Sequence, residues 1–542
     1  MPQGGGRVVQ NALADHAWWQ HGVVYQIYPR SFQDGNGDGI GDLPGIVRRL
    51  DHLEALGVDA IWLSPIYPSP MADFGYDVTD HCAIDPVFGT LEDFDRLVEA
   101  VHARGLRLIL DYVPNHTSDR HPWFVASRAS RRSDRRDWYV WHDPAPDGGP
   151  PNNWQSEFGG PAWSLDPATG QYYYHAYLPE QPDLNWRHPG VRDAMLDVLR
   201  FWFERGVDGF RVDAIHHLIE DEELRDNPPN PDWRPGMSPA RRVLRTHTMD
   251  QPEVHEAIMA MRRVADAFGD RVMIGEAYLS IDRLMAYYGS DLSGFQLPFN
   301  FHLIATPWQP TAIATLIDAY EAALPKGGWP NWVLGNHDRS RLASRLGRDQ
   351  VRIAAMLLLT LRGTPTIYQG EEIGMSDVPI PPEQVQDPWE RNVPGLGLGR
   401  DPVRTPMQWD GSAHAGFSPA PPWLPVAHDH ATVNVASQAA DPRSVLALYQ
   451  ALLSLRRARP ALSIGSYQPF AADMAVLAYA RRYGNEQLLV ALNFGGTVAT
   501  LRHVRPGRLL LSTGLDRGGQ TIRDRLELRP NEGCILEIGS LA

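Results

Sequence analysis

Short runs of β-branched and aromatic residues recur along the chain, and amphipathic segments separate several of them. Eight runs read as strands: 22–29, 59–65, 107–114, 208–215, 271–278, 294–301, 331–338 and 364–370. Their length and composition suit buried strands. Elsewhere the apolar period lengthens to that of a helix, predicting helices over 43–56, 91–103, 191–204, 251–268, 312–323, 349–361 and 444–458. In the second of these, Leu91, Phe94, Leu97, Val98 and Val101 form one stripe at three- and four-residue spacing, with Thr90 placed to cap its start and Gly105 to end it. Strand–helix alternation implies parallel strands with helical crossovers, and eight such units predict an α/β fold, a (β/α)₈ TIM barrel. Periodicity does not report closure, so an open doubly wound sheet fits the same pattern.

Three interruptions exceed an ordinary loop. Residues 118–187 are rich in Trp, Pro, Gly and Asn and predict an inserted subdomain; about 371–442 is a long Pro-rich irregular insertion; 221–250 is a smaller one. All three leave the C-terminal ends of strands, where barrel enzymes build their sites. From 462 to 542 the pattern changes to short runs with turn residues between them, predicting an all-β C-terminal domain after a barrel made of 1–117 and 188–461.

Composition narrows the class. With 43% hydrophobic and 21% charged residues the 542-residue chain is an ordinary globular protein. Its formal charge of −15 argues against nucleic acid, which needs a basic footprint. Two cysteines, Cys82 and Cys534, give neither a disulfide framework nor a thiolate metal site. No run reaches the ~20 apolar residues of a membrane span, and the N-terminus lacks the apolar stretch of a signal peptide. A cytoplasmic protein acting on small molecules is the expectation.

The strand ends carry the chemistry. In Gly209-Phe210-Arg211-Val212-Asp213, alternation puts Arg211 and Asp213 on one side. If Phe210 and Val212 face the helices, the charged pair points into the barrel mouth, where Arg211 would hold Asp213 ionised. Glu276 follows Val272-Met273-Ile274-Gly275, where desolvation would favour a proton-holding general acid. Asp338 follows His337 at the end of the seventh run. Each carboxylate alone fits a structural ion pair or a helix cap equally well. Together, at the ends of strands four, five and seven, two suffice for glycosyl transfer through a covalent intermediate and a third can stabilise an oxocarbenium-like transition state.

GFRVD, IGEAY and GNHD, with DYVPNHT after strand three, resemble the signature segments of the α-amylase clan of glycoside hydrolases (family 13), and the resemblance spans essentially the whole chain. It implies Asp213 as nucleophile, Glu276 as acid/base and Asp338 as transition-state stabiliser. It also implies Asp77 and Tyr76 on the terminal glucose, completed by His116, Arg211, His337 and Phe158, with Arg400 fixing the non-reducing unit and Asp111 in a structural role. QPDLN at 181–185, VVYQIYPRSF and RTPMQWD resemble the α-glucosidase and oligo-1,6-glucosidase branch, implying exo-action on short glucosides and oligosaccharides, with transglucosylation. Ala214, directly after Asp213, resembles relatives that prefer α-1,4 bonds such as maltose. Sucrose is a further expected substrate, and an oligo-1,6-glucosidase, a sucrose isomerase or a trehalose-forming mutase remain alternatives, as does a non-catalytic amylase-like scaffold.

The segment Asp34-Gly35-Asn36-Gly37-Asp38-Gly39-Ile40-Gly41-Asp42 places side-chain oxygens at its positions 1, 3, 5 and 9 and a backbone carbonyl at 7. These suit a hard cation such as Ca²⁺. Gly45 at position 12 excludes an EF-hand, and an acidic Gly-rich turn without metal fits the pattern as well. Resemblance to a loop of oligo-1,6-glucosidases implies structural Ca²⁺ or Mg²⁺ on Asp34, Asn36, Asp38, Ile40 and Asp42.

Overall fold

A computed structural model describes residues 13–539; the N-terminal stretch read above for a signal peptide, 1–12, lies outside the described residues. β1 (Val24–Ile27), β2 (Ala60–Leu63), β3 (Arg107–Tyr112), β4 (Gly209–Val212), β5 (Val272–Gly275), β6 (Leu297–Pro298), β7 (Asn331–Val333) and β8 (Thr364–Tyr368) form one sheet. They pair in the order β7-β8-β1-β2-β3-β4-β5-β6, parallel throughout. Among the described residues no ladder joins β6 to β7, so the barrel is nearly closed. Each strand ends before the apolar run that predicts it. Asp213, Glu276 and Asp338 lie just beyond the C-terminal ends of β4, β5 and β7.

Side-chain alternation divides the core in two. Val24, Ala60, Trp62, Ile109, Ile274 and Val333 fill the barrel interior. Tyr25, Ile61, Leu108, Phe210, Val212 and Met273 point the other way and pack with the surrounding helices. Phe210 and Val212 therefore take the helix side, as their strand pattern predicts, and Arg211 turns inward.

The helices follow the sequence pattern closely: α1 (Leu43–Leu56), α2 (Leu91–Ala103), α3 (Pro189–Glu204), α4 (Val254–Ala267), α5 (Ile281–Met285), α6 (Pro310–Ala323), α7 (Val351–Thr360) and α8 (Val445–Ala458). In α2, Thr90 and Asp93 make a reciprocal capping box, and Phe94, Leu97, Val98 and Val101 are buried. The five-residue α5 is absent from the predicted set because one and a half turns are too short to show a period. Among the described residues no helix is long and apolar enough to cross a membrane.

Between β3 and α3, strands Trp141–His142, Gln171–Tyr174 and Trp163–Asp166 make a small antiparallel sheet over its own core of Trp154, Trp163 and Tyr174. After α8, a six-stranded antiparallel sheet begins at Ser466 and packs a separate cluster that includes Leu489, Leu526 and Leu536.

Candidate active site

One guanidinium organises the barrel mouth. Arg211, 1% exposed, places Nη1 at 2.7 Å from Asp111 Oδ1 and 2.6 Å from Asp213 Oδ1, and Nη2 at 2.7 Å from Glu276 Oε2. β3 and β4 hold Asp111 and Arg211 in register as direct partners. One cation faces three carboxyls, and it balances only one of them. Burial raises the pKa of Asp213 well above the carboxylate range, and Glu276 and Asp111 add to the rise against the pull of Arg211. Burial likewise raises Asp111. The expectation that Arg211 holds Asp213 ionised thus meets an opposing effect: Arg211 does pull this carboxyl's pKa down, and burial outweighs that pull.

Ala214 has a left-handed backbone, φ 45° and ψ 31°, unusual without glycine, and its N–H donates to Glu276 Oε2 at 2.9 Å. It is 1% exposed and absent from the cavity wall, so its reach to substrate runs through the Glu276 bond.

β7 stops at Val333, five residues before Asp338. An Asn336 side chain that accepts from Asp338 N at 3.0 Å turns the chain there, so His337 and Asp338 both reach the cavity. Asp338 Oδ1 accepts from Arg404 Nη2 at 2.8 Å and lies 3.5 Å from Arg400 Nη1. Burial would raise this carboxyl, but His337, Arg404 and Arg400 overcome it and hold the pKa below the usual range. Asp338 is therefore the fixed anion of the site. Burial drives His337 down to about 3, a neutral ring. Its Nδ1 lies 2.8 Å from Gln26 Nε2 and its Nε2 2.8 Å from the Tyr76 hydroxyl, which donates to Asp111 Oδ2 at 3.1 Å.

Asp77 is corrected. Its carboxylate is fully buried and closes a turn: Oδ1 accepts from Ser69 Oγ and Asp73 N, and Oδ2 from Ala72 N. Burial pushes it up to about 6. The carboxylate on the cavity wall is Asp73, one helical turn earlier in sequence, which accepts from Arg400 Nη2 at 2.6 Å and Gln181 Nε2 at 3.3 Å. Asp387 grips the same arginine at 2.6 Å, and the Arg400 guanidinium lies 5.0 Å from the centre of the Phe158 ring. His116 Nε2 is 3.1 Å from the Tyr76 carbonyl. Tyr76, His116, Phe158 and Arg400 all line the cavity, whereas Arg211 and Asp111 support it from behind.

Sequence reasoning missed Asp73, Arg404 and Asp387. Arg404 opens the RTPMQWD segment noted only as a branch marker, and an arginine at the head of a segment that carries the resemblance was the available signal.

The cavity holds about 400 Å³, within the range of small-molecule sites. The 221–250 insertion supplies Met237, Arg241 and Arg245 to its outer wall, and the insertion after β8 supplies Trp389 and Leu398. Arg245 Nη2 donates to Glu157 Oε2 at 2.5 Å, tying the first of these to the inserted subdomain.

The predicted metal residues lie apart from this cavity. Asp34 accepts from the N–H groups of Asn36, Gly37 and Gly39 and from Ser418 Oγ at 2.6 Å. Asp38 accepts from Ile40 N, and Asp42 caps α1 through Gly45 N at 2.7 Å. Burial raises the pKa of Asp42, and Asp34 and Asp38 add to it. Among the described residues no three His, Cys, Asp or Glu side chains gather as a metal centre. A cation here would need the Asn36 amide and the Ile40 carbonyl, which receives no hydrogen bond from the described residues.

Three comparisons place the chain. The family model described as alpha amylase, catalytic domain, matches residues 26–465. A probable alpha-glucosidase of Rhizobium meliloti (strain 1021) is 44% identical over 502 residues, covering 90% of this chain and 91% of that one. An oligo-1,6-glucosidase of Halalkalibacterium halodurans is 39% identical over 517 residues, 89% and 91% of the two chains. A solved structure titled as an alpha-glucosyl transfer enzyme superposes with a TM-score of 0.91 at 39% identity, covering 96% of this chain and 100% of that one.

Proposed function

The chain belongs to the α-amylase family of glycoside hydrolases, and on that premise we propose that it is a retaining, exo-acting α-glucosidase. The observation that carries the reading is Asp213 and Glu276 on adjacent nitrogens of Arg211, facing one cavity with the anionic Asp338. Asp213 attacks C1 of the terminal glucosyl unit while Glu276 gives its proton to the departing oxygen, so the C1–O bond breaks as the ester forms. Glu276, now a carboxylate, takes a proton from water, which attacks C1 and releases Asp213. Asp338, fixed by Arg404, stabilises the cationic transition state. Arg400, bonded to Asp73 and Asp387 on the cavity wall, supports a subsite for a terminal glucosyl unit.

Maltose-type α-1,4 glucosides are the favoured substrates, with sucrose as a further one and transglucosylation where a sugar replaces water. A scaffold without activity would not need the intact carboxylates. For the Asp34–Asp42 loop, a structural Ca²⁺ or Mg²⁺ on Asp34, Asn36, Asp38, the Ile40 carbonyl and Asp42 is proposed. The added rise that Asp34 and Asp38 impose on the buried Asp42 supports it, and no catalytic step runs through it.

The test is an NMR time course on maltose, isomaltose and sucrose. The expected first product of maltose is α-glucose, and Asp213→Asn abolishes its release. β-Glucose appearing first, or an active Asp213→Asn protein, overturns the mechanism. No glucose from maltose alongside isomerised sucrose makes the chain an isomerase.

A further inference from the structure

The cavity is polarised. Its inner half gathers Asp73, Asp213, Glu276 and Asp338, and every arginine there is bonded to carboxylates. Its outer half presents Arg241, Arg245 and Arg339. Arg245 is neutralised by Glu157. Arg241 and Arg339 have no carboxylate within salt-bridge distance among the described residues, although the chain carries 65 acidic against 50 basic residues. Scarcity of carboxylates does not explain this. Arg241 lies on the exposed turn Pro239–Arg242 of the 221–250 insertion, and Arg339 directly follows Asp338 with its guanidinium 5.4 Å from the centre of the Tyr278 ring.

Resting on the glucosidase reading, we propose that this outer half is an aglycone subsite for an anion, a carboxylate or phosphate carried by the leaving group, with Arg339 and Arg241 as its specificity-determining residues. Arg339 is half-buried in the wall and Arg241 is exposed beside it, and either guanidinium pairs best with a charged, bidentate acceptor. A neutral hydroxyl satisfies it only in part. The inner carboxylates repel such an anion, so the same polarity orients the substrate: neutral glucosyl unit inward, charged aglycone outward.

Maltobionate and maltitol test this, because both join glucose α-1,4 to an open-chain aglycone and differ in carboxylate against hydroxymethyl. Maltose phosphorylated on its reducing unit, compared with maltose, forms the phosphate arm. The wild-type kcat/KM should favour the charged member of a pair by roughly tenfold at low salt. That ratio should shrink as ionic strength rises and fall toward one in Arg339→Met and Arg241→Met. A charged preference in one arm only identifies which anion is meant. A wild-type ratio of one or below in both arms, or a ratio the two variants leave intact, overturns the proposal. Binding to Asp213→Asn by calorimetry decides it independently of turnover. If maltose is not cleaved but maltobionate or phosphorylated maltose still binds more tightly than its neutral partner, the glucosidase reading fails and the anion subsite stands. Equal binding of the partners sinks the subsite alone.

Discussion

Replacing Asp73 and Asp77 separately by asparagine separates binding from scaffolding within five residues of chain. Asp73 offers its carboxylate to Arg400 on the cavity wall at 2.6 Å, and Asp387 keeps its own grip on that arginine when Asp73 loses charge. Asp73→Asn therefore removes one charge-assisted hydrogen bond, worth about 1.5–3 kcal/mol, without stranding a buried cation. If that bond orients the terminal glucose in the transition state, kcat/KM on maltose falls about 10- to 150-fold. Asp77→Asn replaces one acceptor oxygen with an N–H₂ that faces a donor, Ala72 N in one amide orientation or Ser69 Oγ and Asp73 N in the other. It should cost about 1–3 kcal/mol of stability, with a smaller loss of kcat/KM. Steady-state kinetics on maltose and urea unfolding of both variants read the two effects. A larger kinetic loss in Asp77→Asn, with its unfolding midpoint unchanged, would refute the assignment of Asp73 and restore Asp77 to the site.

Glu371 is buried with neither carboxyl oxygen hydrogen-bonded among the described residues, and burial, reinforced by Glu372, pushes its pKa up to about 8. The folded chain thus holds this proton more tightly than the unfolded chain. The stability it contributes is complete below the ordinary value of 4.5 and is lost as pH rises to about 8. Glu371→Gln should be more stable than wild type by a few kcal/mol at pH 9 and nearly equal at pH 4; parallel pH curves in thermal unfolding would contradict this. Adding Ca²⁺ after chelation should raise the Tm of the wild type but not of Asp34→Ala, and an unresponsive wild type removes the metal from the loop. Ala214→Val places a β-branched side chain at φ 45°, strained by roughly 1–2 kcal/mol, and must shift the backbone N–H that holds Glu276. It should lower kcat/KM on maltose more than on isomaltose, by up to about tenfold; equal losses would take position 214 out of linkage selection.

Residues 91–103 and 209–213 show what can be read from the chain directly. Leu97 and Val101 fall on one face because the helical period is local, and Arg211 opposes Phe210 because strand alternation is local. The barrel order, the inward turn of Arg211 and the convergence of Asp213, Glu276 and Asp338 on one mouth follow from such short-range rules together with right-handed crossovers. Asp73 and Asp77 mark where those rules stop. Both are aspartates in one loop without periodic structure, and only its fold decides that one carboxylate closes a turn while the other meets Arg400, 327 positions away.

The same division holds for the chemistry. By itself the sequence determined which strands carry carboxylates and that Arg211 lies beside them, because side-chain direction in a strand is set by its immediate neighbours. The tertiary structure alone set their convergence on one cation, since three carboxyls from three strands share one guanidinium. It also decided the opposite charge of the cavity's two halves, since Arg241 and Arg339 come from separate loops. Electrostatic energy depends on distance and burial in space, and neither is a function of spacing along the chain.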